Sequence, residues 1–600
     1  MLGDKLHLLR KLWSGHLGTV LRARWRLSAR FAVTLIGQTV TSLSMVLMIK
    51  EFLAGALGEA EGLGRRLAEL FGGPVALAVV ASLLFASYLL ESWLRYDNKV
   101  TQQRIVKVVE LSLMRRLIDH LLTLSVPFFD NHSSGDVLQA VRHDVTHLRH
   151  VITALGGMLL ESFVALGLIL GAFLVSPELA VLGLLVLPMV LLPIMLIGKR
   201  TRAHSLKVRS TGFSLLDTVL EILGGIRVIK AFRTEAMQSR ISVERASKHF
   251  DSLVDIVKTS AKADLFLQSA AGLGTAAVIL MGGLRVGSGA MTWTSLLAFL
   301  MAFRALHGPV ANTTKLYVQA ETHSAAVRRI DELLRLEPDI EDGPDAQPLP
   351  QAPRRIQLDD VGLAMNGRTL LHSVSLTARA GETLGIVGPS GAGKTTLLNL
   401  LVRFYDPTRG SVRFDGVDLR QIRLDDLYAR VAIVLQQPFL FAASVRDNIR
   451  CGRPSATDAE VEEAARAAHI HDAIQALPAG YDTQIGLGGA GLSLGQEQRI
   501  NIARALLKNA DVLLFDEATS ALDSVAEAAV QSAIDALMEH RTTFIIAHRL
   551  STLRRADRIL VIDQGRQVGF GTHEQLLATC DVYRQSWAAQ ALPDSVQTAV

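Results

Sequence analysis

Cysteine is almost missing from this 600-residue chain: only Cys451 and Cys580 occur, both in the second half. Two such thiols exclude a disulfide framework or a cysteine zinc site, and they fit a reducing compartment. A cleavable leader is not expected, because a charged start runs to Arg30 before any long apolar stretch. That start is also too short to be a peptidase or other folded domain. A nucleic-acid groove is not expected either. The net charge is +5 and the isoelectric point near 9.2, but the basic residues stand beside apolar segments of the first half, which favours membrane topology. What the chain has in quantity is apolar surface. Hydrophobic residues make up 49% and the mean hydropathy is +0.30, high for a water-soluble enzyme.

Six apolar stretches stand out: about 31–49, 74–94, 151–175, 179–197, 263–284 and 293–306. Most reach the roughly 20 residues needed to cross a bilayer; the last is short. Between spans one and two, three and four, and five and six the basic residues are Lys50, Arg65, Arg66 and Arg285. The N-terminus and the segments 96–150 and 199–262 hold nearly all the rest, which places both ends of this half in the cytosol. Those two long segments are not simple loops. Ile105, Val108, Val109, Leu113, Leu117 and Leu121 recur at helical spacing, Pro127 to Gly135 breaks the pattern, and Val137 to Leu148 resumes it. The spans therefore continue as cytosolic helices that turn back near Pro127–Gly135 and near Gly224-Gly225-Ile226.

Polar residues inside the spans are candidates for substrate contact. Thr34, Gln38 and Thr41 share one helical face and either bond neighbouring helices or line a wet cavity. Arg304 falls near mid-membrane, where a charge faces water or a partner. Two readings stand side by side: an ion pair with Glu161, or contact with an anionic substrate group. His307, three residues on, could join either.

An acidic, Pro-rich stretch over 336–353 marks a linker. Beyond it short apolar strands alternate with helical stretches, an α/β texture with no membrane-length run. Gly388-Pro389-Ser390-Gly391-Ala392-Gly393-Lys394-Thr395 follows a buried strand and opens a helix. It has the spacing of a loop whose N–H groups cradle phosphates, with Lys394 on the β/γ-phosphates and Thr395 on Mg²⁺. Val512–Asp516 is an apolar strand ending in a carboxylate for Mg²⁺, and Glu517 stands where a general base could act on water. Leu492-Ser493-Leu494-Gly495-Gln496 leads into another helix, a second anion-seeking N-terminus.

Together these residues resemble an ATP-binding cassette exporter of the half-transporter kind, over roughly residues 30–588. The motifs stand in the family's order: Gly388–Thr395, Gln436, Leu492–Gln496, Asp516-Glu517, Asp523 in Ser520–Asp523, and His548. Phe128–Asp136 and Glu221–Phe232 resemble its two cytosolic coupling segments. The resemblance implies a basic segment 1–30, a six-helix all-α transmembrane domain 31–335 with long cytosolic extensions, the linker 336–353, an α/β P-loop ATPase domain 354–588 and a tail 589–600. It implies an ATP site of Gly388, Ser390, Gly391, Gly393, Lys394, Thr395, Thr396 and Met365, completed by Ser493, Gly495, Gln496 and Asp523 of a second subunit. Glu517, His548 and Gln436 would act in hydrolysis, and Thr395, Gln436 and Asp516 at Mg²⁺.

Three departures from the family's pattern are visible. Leu494 replaces the usual glycine of the signature, 486–489 lacks the usual charges, and Met365 replaces the aromatic that stacks on adenine, which predicts looser base selection. The function implied is ATP-driven export or flipping of amphipathic or lipid-like molecules by a homodimer in an inner or plasma membrane. The alternative is a non-pumping partner subunit of a heterodimer. Among substrate residues (Arg304, Glu161, His307, Gln38) the charge of Arg304 favours a lipid with an anionic head group.

Overall fold

A computed structural model describes residues 18–56, 66, 69–70, 73–132, 134–349, 351–486, 491–516, 524–546 and 555–591. The chain divides into two compact units. One holds residues up to Thr123 together with Ser133–Leu336; the other holds Leu124–His132 together with everything from Glu337 onward.

The first unit is helical: α1 (Trp25–Ala56), α2 (Gly73–Thr123), then, after a short turn, α4 (Val145–Val175), α5 (Pro177–Gly224), α6 (Ile226–Phe232), α7 (Glu235–Gly287) and α8 (Trp293–Leu333), with α3 (Val126–Asn131) contributed to the other unit. Among the described residues five helices are long and apolar enough to cross a membrane. The fourth expected span falls on α5, where the side chains of 184–203 lie outside the described residues. At ~1.5 Å per residue the 51 residues of α2 reach about 76 Å, far beyond a ~30 Å hydrocarbon core. The cytosolic extensions are thus continuous with their spans. The sixth helix is much longer than its apolar run, because Pro309 sits inside α8 without ending it.

Small residues let the membrane helices approach, since lipid offers no hydrophobic drive to associate. A Cβ on Gly167 of α4 would lie 2.5 Å from the Thr39 carbonyl of α1, and Thr39 Oγ1 donates across to Phe163 O at 3.1 Å. Helix α4 runs antiparallel to α8. Their contact is pinned at one end by Arg329 on the buried Asp144 at 2.6 Å and further along by Asn312 on Glu161 at 3.0 Å.

The second unit is built on a ten-stranded mixed sheet. Its strands are β1 (Arg355–Met365), β2 (Arg368–Arg379), β3 (Thr383–Val387), β4 (Arg409–Phe414), β5 (Val417–Asp418), β6 (Val431–Val434), β7 (Val512–Asp516), β8 (Thr542–Ile546), β9 (Arg558–Asp563) and β10 (Arg566–Gly571). They lie in the order β5-β4-β1-β2-β10-β9-β3-β8-β7-β6. The run β6-β7-β8-β3-β9 is parallel, and its strands read as near-continuous apolar stretches because both faces are covered. Leu384, Ile386, Leu514, Phe515 and Phe544 are all at most 1% exposed.

The acidic, Pro-rich stretch expected as a linker belongs by its contacts to this unit. Gln347 N donates to Gln421 O at 2.6 Å, Arg423 N donates back to Gln347 O at 3.0 Å, and Leu349 enters the core. An extended proline-rich chain leaves its backbone groups free for such pairing.

Glu382, before β3, takes two bonds from the Arg558 guanidinium of β9, one at 2.7 Å. Burial, the largest single influence, opposes ionisation of Glu382, but the bonds from Arg558 and the Arg379 N–H, with the charges of both arginines, together outweigh it and hold the carboxyl below its ordinary value. A carboxylate depressed in the folded state stabilises above its unfolded pKa, and that contribution is lost as pH falls through the folded value. Glu382→Gln is expected to cost about 2 kcal/mol at pH 7 and progressively less below pH ~4.5. Thermal unfolding of the ATPase unit against pH checks this; an equal loss at pH 4 and pH 7 would refute it.

Candidate nucleotide and coupling site

Strand β3 ends at Val387 in the middle of the parallel run, and the chain then turns tightly over the sheet rim. A Cβ on Gly388 would stand 2.0 Å from the Ile562 carbonyl, so only glycine lets the loop start there. Gly391 and Gly393 take φ of 79° and 101°, and Gly393 caps α9 (Lys394–Leu401). These turns point successive N–H groups at one concavity in front of a helix N-terminus, which suits a phosphate chain. Ser390, Gly391 and Thr395 are exposed at its mouth and Thr396 is half-buried.

Lys394 is buried, and its ammonium donates to Gly388 O at 2.8 Å and Pro389 O at 3.0 Å, bridging its own loop. Thr395 Oγ1 donates to the Asp516 carboxylate at 3.2 and 3.3 Å across 121 residues. A hydroxyl and a carboxylate so paired fit Mg²⁺, which takes few protein oxygens and completes its shell with phosphate oxygens and water. Consistent with that economy, the described residues contain no cluster of three or more His, Cys, Asp or Glu able to hold a metal. Glu517, Asp523 and His548 lie outside the described residues, as does most of 486–489.

The other motif residues are placed as follows. Gln436 is exposed just beyond β6, whose Val434 pairs with Phe515 of β7. Ser493 caps α10 (Leu494–Lys508): its side chain accepts from Gln496 N at 3.3 Å, and Ser493 N donates to Gln496 Oε1 at 2.9 Å. The backbone N–H and the side-chain oxygen of Gln496 are therefore engaged in a capping box. Gly495 is buried and Leu494 is 42% exposed. Met365 ends β1, half-buried against the core, and pairs with Arg368 across a tight Asn366-Gly367 turn with φ of 51° and 74°.

Residues beyond the sequence motifs join this site. In α3, the first coupling segment, Tyr405 donates to Asp130, and Asn366 Nδ2 donates to Asn131 Oδ1 at 2.7 Å. Ser125 Oγ accepts from Ile340 N at 2.9 Å, and Val126 packs on the core. Burial, and then the Asp130 carboxylate, raise the Tyr405 phenol above its ordinary value, so it remains a donor. The turn beside the expected base seat and the bend that follows α9 thus both hold α3. Phe128–Asp130 could be picked out in the sequence; Tyr405 and Asn366 carry no signal of their own.

In the membrane unit Arg304 is exposed on α8 and His307 is half-buried. Glu161 accepts from Asn312, about two turns nearer the Asp144–Arg329 contact than Arg304 is, so the alternative of an Arg304–Glu161 pair is not formed. Gln38 is fully buried and neither amide atom has a partner among the described residues, while Thr34 receives Asn98 Nδ2 at 2.8 Å. The polar face of α1 therefore bonds α2 at Thr34.

Family models match the two halves: "ABC transporter transmembrane region" over residues 31–310 and "ABC transporter" over 371–520. An ATP-dependent lipid A-core flippase of Syntrophus aciditrophicus (strain SB) is 37% identical over 85% of either chain. A fatty acid ABC transporter ATP-binding/permease protein of Mycobacterium bovis is 34% identical over 85% of this chain and 80% of that one. A solved structure of a bacterial Atm1-family ABC exporter with ATP bound superposes with a TM-score of 0.83 at 28% identity, covering 96% and 99% of the two chains.

Lys394→Ala removes the charge that would meet the β/γ-phosphates. It is expected to weaken nucleoside triphosphate binding about 100-fold, or ~2.7 kcal/mol, read by titration with a fluorescent triphosphate. Unchanged affinity would remove this loop from the site.

Proposed function

The chain belongs to the ABC transporters, a membrane-integral, ATP-hydrolysing half-transporter that drives export, and on that premise we propose that two copies flip an anionic amphipathic lipid. The observation that carries the substrate class is Arg304, exposed on a helix of membrane length. A charge at that depth is costly unless it meets water or an opposite charge. Its nearest candidate carboxylate, Glu161, is bonded elsewhere. Two relatives are named for a lipid and a fatty acid, in keeping with that class.

The remaining assignments follow the same reading. Mg²⁺ is held by Thr395 and Asp516 together with the phosphates, and Gln436 approaches the γ-phosphate. Each nucleotide lies between the phosphate loop of one copy and the Ser493–Gly495 helix start of the other, because the exposed Ser493 hydroxyl and the helix dipole offer a second anion seat. Glu517 orients the attacking water and His548 contacts the γ-phosphate. The distribution of basic residues supports a cytosolic N-terminus and ATPase domain in an inner or plasma membrane. Residues 31–335 and 354–588 are the two domains.

Two substitutions test this reading. Glu517→Gln should retain ATP binding and lower steady-state hydrolysis at least 100-fold; undiminished turnover would refute the assigned base. Arg304→Ala should leave basal ATPase within twofold while abolishing its stimulation by anionic lipid in vesicles. If anionic lipid stimulates the variant as strongly as the parent, Arg304 does not select the substrate.

A further inference from the structure

The segment that leaves the sheet after β6 is fastened at both ends by one helix. At its start Gln498 Nε2 donates to Leu435 O at 3.3 Å. At its end Arg504 Nη1 donates to Phe439 O at 2.5 Å. Both donors belong to α10, the helix whose first turn carries Ser493 and Gly495. Gln436 is therefore strung between two carbonyls held by the helix that presents the second anion seat. Pro438 stiffens the span, since it confines Gln437 to extended conformations and contributes no N–H. A shift of Leu435 is then passed on to Gln436 rather than absorbed.

The two anchors are not equivalent. Arg504 also donates to Asn448 O and Asn448 Oδ1, each at 2.6 Å, and lies over the Phe441 ring. Asn448 in turn grips Phe441 through N–H and carbonyl. Arg504 thus serves a wider scaffold. Gln498 is 2% exposed, makes the one bond to Leu435, and its Oε1 is without a partner among the described residues. An apolar side chain of similar size would fill that place without a buried, unpaired acceptor, so packing alone does not account for an amide there.

We propose that Gln498 is a positioning residue that joins α10 to the segment carrying Gln436, so that the signature end of the helix and the γ-phosphate contact move as one body. When α10 swings toward the nucleotide of a second copy, Leu435 is carried with it and Gln436 is delivered to the γ-phosphate. Closure and hydrolysis are thereby made simultaneous. The inference rests on the ATP-hydrolysing reading above. It adds to it a residue that touches neither nucleotide nor metal.

The test uses the full-length chain in lipid nanodiscs with Gln498→Leu and Gln498→Glu. Leucine keeps the volume and removes both polar atoms; glutamate keeps shape and acceptor but cannot donate to Leu435 O when ionised. Both should leave the KM for MgATP within twofold and lower kcat about tenfold. Both should also raise amide hydrogen exchange over residues 435–439 about tenfold, with an unchanged Tm for Gln498→Leu. Full kcat in either variant, unchanged exchange over 435–439, or a kcat loss accompanied by a lowered Tm in Gln498→Leu would overturn the proposal. A parent chain without ATPase activity would instead count against the proposed function, and exchange over 435–439, which needs no turnover, would still decide the clamp.

Discussion

The register of four parallel strands is the constraint on which the nucleotide site depends. Ile546 of β8 lies level with Ile386 of β3 on one side and with Asp516 of β7 on the other. Val434 of β6 lies level with Phe515, one residue short of Asp516. The chain therefore leaves the sheet at one rim four times, and each exit carries a motif: the phosphate loop after Val387, the carboxylate pair at Asp516-Glu517, the glutamine segment after Val434 and the histidine segment after Ile546. A one-residue slip in any of these pairings would invert the side-chain alternation of that strand and move its motif by about 3.3 Å. Strands that are apolar on both faces cannot slip by two residues either without dragging Asp516 away from Thr395. The core and the chemistry are fixed together.

That rim explains why so much of the nucleotide site is legible in the sequence. Phosphate loops, strand-end carboxylates and helix caps are local: a few adjacent residues contain both the backbone conformation and the chemistry. Gly391 and Ser493 are examples, the one set by the left-handed turn of its own loop and the other by the helix it caps. Span lengths are local in the same sense, because ~20 apolar residues specify their own environment. The illegible part consists of contacts between distant segments. Tyr405 and Asp130 are 275 residues apart, and Gln498 and Leu435 are 63 apart; neither partner is unusual in its own stretch. Arg304 and Glu161 show the converse error. Opposite charges in two spans suggest a pair, yet the antiparallel register of α4 on α8, set by Asp144–Arg329, brings Asn312 to Glu161 instead. The reach of Gln496 back to the cap is legible in the same way, because Ser-x-x-Gln is a capping signature.

Segment 124–132 is where the two halves of the chain meet covalently and energetically. Its residues are bounded by membrane-unit helices, but its side chains are satisfied by the ATPase unit: Tyr405 on Asp130, Asn366 on Asn131, the Ile340 N–H on Ser125. These bonds end on three different places, the bend that follows α9, the turn beside Met365, and the docked Pro-rich stretch. A displacement of any one of them is resisted by the other two, so α3 follows the unit as a whole rather than a single loop. Thr123 and Val126 are nearly adjacent in the chain, so α3 is followed backward almost at once by the end of α2, a helix of 51 residues. A hydrogen-bonded helix of that length transmits force with little bending unless a proline or glycine pair interrupts it, and α2 has neither after Pro74.

The energetics of such a machine limit what each contact can be asked to do. Taking a two-state transporter from 1:99 to 99:1 needs a difference of about 5.5 kcal/mol in nucleotide affinity between its states. No single hydrogen bond, at about 1 kcal/mol net, or charge-assisted bond, at roughly twice that, supplies it. In the proposed dimer the difference is assembled from groups that engage only together: Lys394 released from Gly388 O and Pro389 O onto phosphate, Thr395 and Asp516 onto a metal, and a second copy's helix start onto the same nucleotide. Cooperation of that kind is worth nothing if the parts can close separately. Structures that tie one part to another, such as the capping box at Ser493 and the two fastenings of 435–439 to α10, are therefore as necessary to the switch as the groups that touch the nucleotide. They exclude the partly closed states in which the available free energy would be spent without moving the membrane helices.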